Sequence, residues 1–143
     1  MNKKGITLIE LLIVIAIIGI LAVIAVPAYI GQQRNATRTE AYSNLQNLRL
    51  LEEQYYAENG CYYMTGATPA CTNATISGVA NIQGFLPGFR PGSSLMFDYS
   101  ITTNSLGTGG GTASCFVAIA DGRNGTRVAD DIFTINCNNT RNF

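Results

Sequence analysis

The sequence predicts an α+β protein, a long N-terminal α-helix packed against a small antiparallel β-sheet. Three observations carry this. An apolar run opens the chain, a helical stripe of apolar residues continues it, and three strand-like runs close it.

The apolar run is Ile6 to Val26, in which Leu11 to Val26 hold no polar side chain. As a helix it is about 32 Å long, enough to cross a bilayer core. Lys3 and Lys4 precede it, which leaves its start on the cytoplasmic side. It is longer than the apolar part of a cleavable secretory signal, and no small-residue cleavage site ends it. One residue breaks the pattern. Glu10 is a carboxylate inside a membrane-like segment, which is costly and marks a function.

The helical pattern runs on past Pro27. Ala41, Leu45, Leu48, Leu51 and Tyr55 recur at steps of three and four, one apolar stripe on an amphipathic helix. Thr, Asn, Arg and Glu fill the other faces, and Asn59-Gly60 supplies a stop. The expectation is one helix over 6–58, apolar all round in its first half. Gly19 and Pro27 are weak points in its hydrogen-bond ladder.

Residues 60–94 show no period and are punctuated by glycine and proline, the pattern of a long connecting loop. Runs at 94–102, 113–121 and 131–137 are rich in β-branched and aromatic residues and read as an antiparallel meander. Its apolar face should cover the helical stripe. The organisation expected is therefore 1–5 as a leader, 6–27 as an apolar half-helix, 28–58 as an amphipathic half-helix and 59–143 as a globular head.

Cys61, Cys71, Cys115 and Cys137 all follow the apolar run. An even count in an exported segment reads as two disulfides. With Asp121 opposite Asp131 across the last two strands, Cys115 falls directly across the ladder from Cys137. Cys61 and Cys71 would close a small loop past the helix. Pairing 61–71 with 115–137 is favoured, and the other two connectivities stay open. No histidine and no C-x-x-C pair are present, so no metal site and no cofactor are expected.

Nine basic and nine acidic residues cancel, so no strong field favours nucleic acid. Arg90, Arg123, Arg127 and Arg141 are weak support for DNA contact. Tyr55, Tyr56, Tyr62 and Tyr63 read as ordinary packing around the helix end, in preference to a path for charge. Asp121, Asp130 and Asp131 read as a solvated hairpin end in preference to a calcium loop. Sequons at Asn35, Asn73, Asn124 and Asn138 are taken as surface loops. The absence of histidine and of a G-x-S-x-G turn argues against an enzyme.

The stretch "KKG" followed by "ITLIELLIVIAIIGILAVIAVPAY" resembles the class III signal of type IV pilins, of the type IVa group by its five-residue leader. The match covers about residues 1 to 30. It rests on the basic leader, Gly5, an apolar first mature residue, Thr7, Glu10, Gly19 and Pro27. Ile6 stands where phenylalanine is usual.

The resemblance implies that a prepilin peptidase cuts between Gly5 and Ile6 and N-methylates Ile6. It implies that Glu10, with Thr7 nearby, serves assembly by pairing with the N-terminus of a neighbouring copy. The protein would start in the inner membrane, pass through an assembly platform with other pilins, and form a homo-oligomeric helical filament outside the cell. Gly19 to Pro27 would lose helical form there and give stretch. Adhesion, twitching motility or DNA uptake, with contact to host surface or DNA, would be the filament's work. A minor pilin acting as a binding module at the tip and a type II secretion pseudopilin are the alternatives. The major pseudopilin commonly has a tryptophan-containing loop and a calcium site in place of cysteines, whereas this chain has no Trp and four Cys.

Overall fold

The structure is a computed structural model that describes residues 5–62, 75–93, 95–104 and 115–143. Helix α1 runs Leu8–Asn59, followed by β1 (Thr75–Ser77), α2 (Val79–Phe85), β2 (Phe97–Asn104), β3 (Cys115–Gly122) and β4 (Ile132–Asn136). The four strands form one antiparallel sheet in sequential order. The architecture is the α+β one expected, a long N-terminal helix followed by a small antiparallel sheet. Two compact units are present, Met1–Ala36 and Thr37–Phe143.

The core lies in the second unit. Ala41, Leu45 and Leu48 of α1 are buried in one cluster with Tyr99 and Ile101 of β2, Phe116 and Ala118 of β3 and Ile135 of β4. The stripe differs in part from the sequence expectation. Glu52 is fully buried, whereas Leu51 and Tyr55 are only partly so. Glu52 stands four residues after Leu48, where the helical period asks for the next inward position.

Gly60 ends α1. Its φ of 75° and its N–H donating to the Tyr56 carbonyl at 2.8 Å form the left-handed cap that glycine allows.

The region expected as loop holds two short elements. β1 is three residues long and α2 seven, both below the length at which periodicity is readable. Tertiary contacts make them. Ile76 pairs with Ile101, and Ile76, Ile82, Leu86 and Phe89 are all buried in the core. The other strands lie within a few residues of the expected 94–102, 113–121 and 131–137.

The β3–β4 register is one residue away from the one expected. Asp121 faces Ile132, not Asp131, and Ala118 faces Ile135. This places Phe116, Ala118, Ala120, Phe133 and Ile135 on the core side. The expected register would have opposed Ala118 to Thr134 and turned β4 over. Cys115 and Cys137 still form a disulfide, with Cα atoms 5.4 Å apart. The ladder ends at Asn136, and Cys137 lies in the turn beyond, free of the pleat's alternation.

Asp131 also departs from the sequence expectation. It is only 8% exposed, not a solvated hairpin end. Arg38 of α1 donates to its two carboxylate oxygens, Nε at 2.8 Å and Nη2 at 2.6 Å. Such a two-pronged pair is the strong form of ionic contact. Those hydrogen bonds hold Arg38 above its ordinary pKa.

Candidate functional site

The candidate site is the start of α1. Thr7 is its N-cap and Glu10 is the third residue of its first turn. The Glu10 N–H donates to Thr7 Oγ1 at 3.3 Å, and the Thr7 N–H donates to Glu10 Oε2 at 2.8 Å. Thr7 Oγ1 also donates to the same Oε2 at 2.7 Å. This is a reciprocal capping box, which satisfies two backbone donors that a helix start leaves orphaned. Thr7 and Glu10 are thus one unit. The spacing T-x-x-E before an apolar run was the sequence signal for it, and the expectation for Glu10 looked only for a cation.

Glu10 Oε1 makes no hydrogen bond among the described residues. The carboxylate is held on one side and open on the other. Such a geometry can accept a donor from another molecule without giving up the cap.

Around this cap the helix is apolar and bare. Every residue from 5 to 32 is exposed, and Val14 at 50% is the least exposed of the large apolar side chains from Ile6 to Ile30. The helix is long and apolar enough to cross a membrane. Exposed apolar patches much smaller than this already mark contact surfaces. Gly5 and Ile6 lie just before the cap, both exposed. Gly19 and Pro27 lie within α1, which stays helical through both. Pro27 offers no N–H to the Val23 carbonyl, so one rung is missing there.

The remaining expectations separate from this site. Cys61 is disulfide-bonded and buried, and the pairing with Cys71 lies outside the described residues. So do Tyr63 and the sequon at Asn73. Tyr62 packs on Phe116, ring centroids 4.9 Å apart, and Tyr56 lies 4.7 Å from Tyr62. Asn35 sits in the helix instead of a loop, while Asn124 and Asn138 are exposed beyond the strands. Arg123 donates to Asp98 at 2.7 Å and Arg141 lies 5.6 Å over the Phe143 ring. Among the described residues no group of three His, Cys, Asp or Glu could hold a metal ion.

A model of the prokaryotic N-terminal methylation motif matches residues 1–26. The type IV major pilin protein PilA of Myxococcus xanthus is 46% identical over 61 residues, 43% of this chain and 28% of the relative. The type IV wide pilus major component PilA4 of Thermus thermophilus is 35% identical over 102 residues, 64% of this chain and 78% of the relative. The type II secretion system core protein G of Pectobacterium carotovorum is 35% identical over 64 residues, 45% of this chain and 41% of the relative. The match to the Myxococcus and Pectobacterium proteins therefore spans less than half of each relative's length. No solved structure matches.

Proposed function

The chain belongs to the type IV pilin family, and from that membership we propose that it is a structural subunit of a surface filament, polymerising through residues 6–27. The observation that carries this reading is the bare helix. An apolar surface from Ile6 to Ile30 is costly in water, so it must be covered by lipid or by copies of itself. A bilayer would cover it first and a bundle of parallel helices afterwards. Adhesion, twitching motility or DNA uptake would then be properties of the filament. The chain itself would carry no catalytic group.

In this reading a prepilin peptidase cuts between Gly5 and Ile6 and methylates the new amine. Glu10 keeps its cap to Thr7 and offers Oε1 to the N-terminus of the next copy in the stack. A cation and a carboxylate in low dielectric attract strongly when their geometry is fixed in advance. The capping box fixes it. The partners are the peptidase, the assembly platform and other pilins, and the route runs from inner membrane to cell exterior.

Intact mass spectrometry of protein sheared from cells tests this. The expected species is abundant, begins at Ile6, is one methyl heavier, and lacks the four hydrogens that two disulfides remove. A chain still beginning at Met1 would end the reading. The likeness to the secretion core protein favours a second one, a pseudopilin, and a minor pilin shares its signature. Either would give the same mass in membranes and only a trace in the sheared fraction.

A further inference from the structure

We propose that Asn124 is a site of spontaneous deamidation, where the connection between β3 and β4 gains a negative charge as the protein ages. The inference goes beyond the filament reading and does not rest on it.

The sequence holds two Asn-Gly pairs, Asn59-Gly60 and Asn124-Gly125. In such a pair the glycine nitrogen is open to approach by the asparagine side chain, because no Cβ stands beside it. Sequence alone ranks the two pairs equally. The structure separates them.

At the end of α1, both reacting groups are engaged. Asn59 Nδ2 donates to the Tyr55 carbonyl at 3.0 Å, and the Gly60 N–H donates to the Tyr56 carbonyl at 2.8 Å. At the second pair, Asn124 and Gly125 are both exposed and neither forms a hydrogen bond among the described residues. Gly125, with a φ of 79°, and Gly60, with a φ of 75°, both have no heavy atom within 4 Å of where a Cβ would stand, so the hydrogen bonds are what separate the two pairs. Space for a ring is therefore present. The flanks hold while the tip is open: the Arg123 carbonyl accepts from the Thr126 N–H at 3.1 Å and from Thr126 Oγ1 at 2.7 Å.

The step balances with water as the only co-reactant. The Gly125 nitrogen gives up its proton to solvent base and attacks Asn124 Cγ. The N–C bond forms, the Cγ–Nδ2 bond breaks, and ammonia leaves with a proton from solvent. Water then opens the five-membered imide at either carbonyl, giving aspartate or isoaspartate. Nothing is oxidised or reduced.

The new carboxylate arises next to Arg123, and that arginine is already committed. Its Nε donates to Asp98, and Asp98 faces Asp121 directly across the β2–β3 ladder. Like charges opposite each other on a sheet repel, and Arg123 offsets this. A carboxylate at 124 draws on the same cation, so the acidic pair loses part of its compensation.

The test is to incubate the purified full chain in detergent at mildly alkaline pH and follow both sites by peptide mass spectrometry. The expected result is a gain of one mass unit at Asn124, split into two isomers, at least about tenfold faster than at Asn59, the factor that two engaged hydrogen bonds imply. In urea the two rates should converge. Asn124→Gln should all but stop the change at that site, since the longer side chain would have to close a six-membered imide, which forms far more slowly. No gain at 124, an equal rate at 59 in the folded protein, or a ratio that survives unfolding would each overturn the proposal.

Discussion

Glu10 combines two roles that a substitution can separate. Glutamine at the third helical position still completes a capping box, because its amide oxygen accepts from the Thr7 N–H. It carries no charge. Glu10→Gln should therefore leave the helix start intact and the protein in the membrane, yet stop filament formation, as Glu10→Val should. The readout is filament yield in the sheared fraction beside membrane content. Normal filaments from the glutamine variant would show that the cap, not the charge, is what assembly uses. The position of Glu10 was legible in the sequence as an anomaly. Its hydrogen bonds were written there too, in the T-x-x-E spacing to Thr7, but a lone carboxylate in an apolar run points first to a missing cation.

A second residue-scale prediction concerns Tyr62, which is 6% exposed and whose hydroxyl donates to Glu53 at 3.3 Å. Burial first, then the nearby Glu53 carboxylate, push its phenol up to about 12. The unfolded chain would ionise near the ordinary value of 10.0. Between these two values the folded state keeps a proton that the unfolded state has lost, so stability falls as pH rises. The contribution is complete below about pH 10 and gone above about 12, a loss on the order of 1–2 kcal/mol. Tyr62→Phe should flatten that part of a denaturation profile. An unchanged slope would mean the phenol ionises as freely in the fold as outside it.

Among the elements, β4 shows what pattern can and cannot specify. Its register was open to argument from the core face alone. Ala118 and Ala120 must meet Phe133 and Ile135 for both strands to bury their apolar sides, and they do. Pairing the cysteines across the ladder gave the wrong offset, because Cys137 lies outside the strand. The disulfide itself follows from either register. Replacing both Cys115 and Cys137 with serine should cost about 3 kcal/mol, from a closed loop of about 22 residues. Urea titration of the two proteins measures this. Equal midpoints would show that the turn is held without the bond.

Beyond β4 the chain covers the sheet edge with a side chain. Asn142 Oδ1 accepts from the Thr134 N–H at 2.8 Å and its Nδ2 donates to the Ile132 carbonyl at 3.0 Å, as a neighbouring strand would. Gly122 is the other fixed point. A Cβ there would fall on the Val128 carbonyl oxygen, so the β3–β4 connection can lie close only against glycine. Neither was legible in advance, since both depend on contacts between segments that no local pattern encodes. β1 and α2 were missed for the same reason.

At the scale of the whole molecule, two kinds of surface meet in one chain. The second unit, Thr37–Phe143, has its own core, its own ion pair between Arg38 and Asp131, and a closed disulfide. The first unit has no buried apolar residue among the described ones. Stability in water should therefore reside in the second unit and insolubility in the first. A chain lacking residues 1–28 should be soluble without detergent and monomeric in sedimentation. It should unfold in one transition that reducing agent shifts downward. The full chain should need detergent and show the same transition, because every core residue belongs to the second unit. Aggregation of the shortened chain, or a melting temperature several degrees lower, would mean that the bare helix also supports the fold. The division between a self-sufficient head and a segment that seeks other copies would then fail.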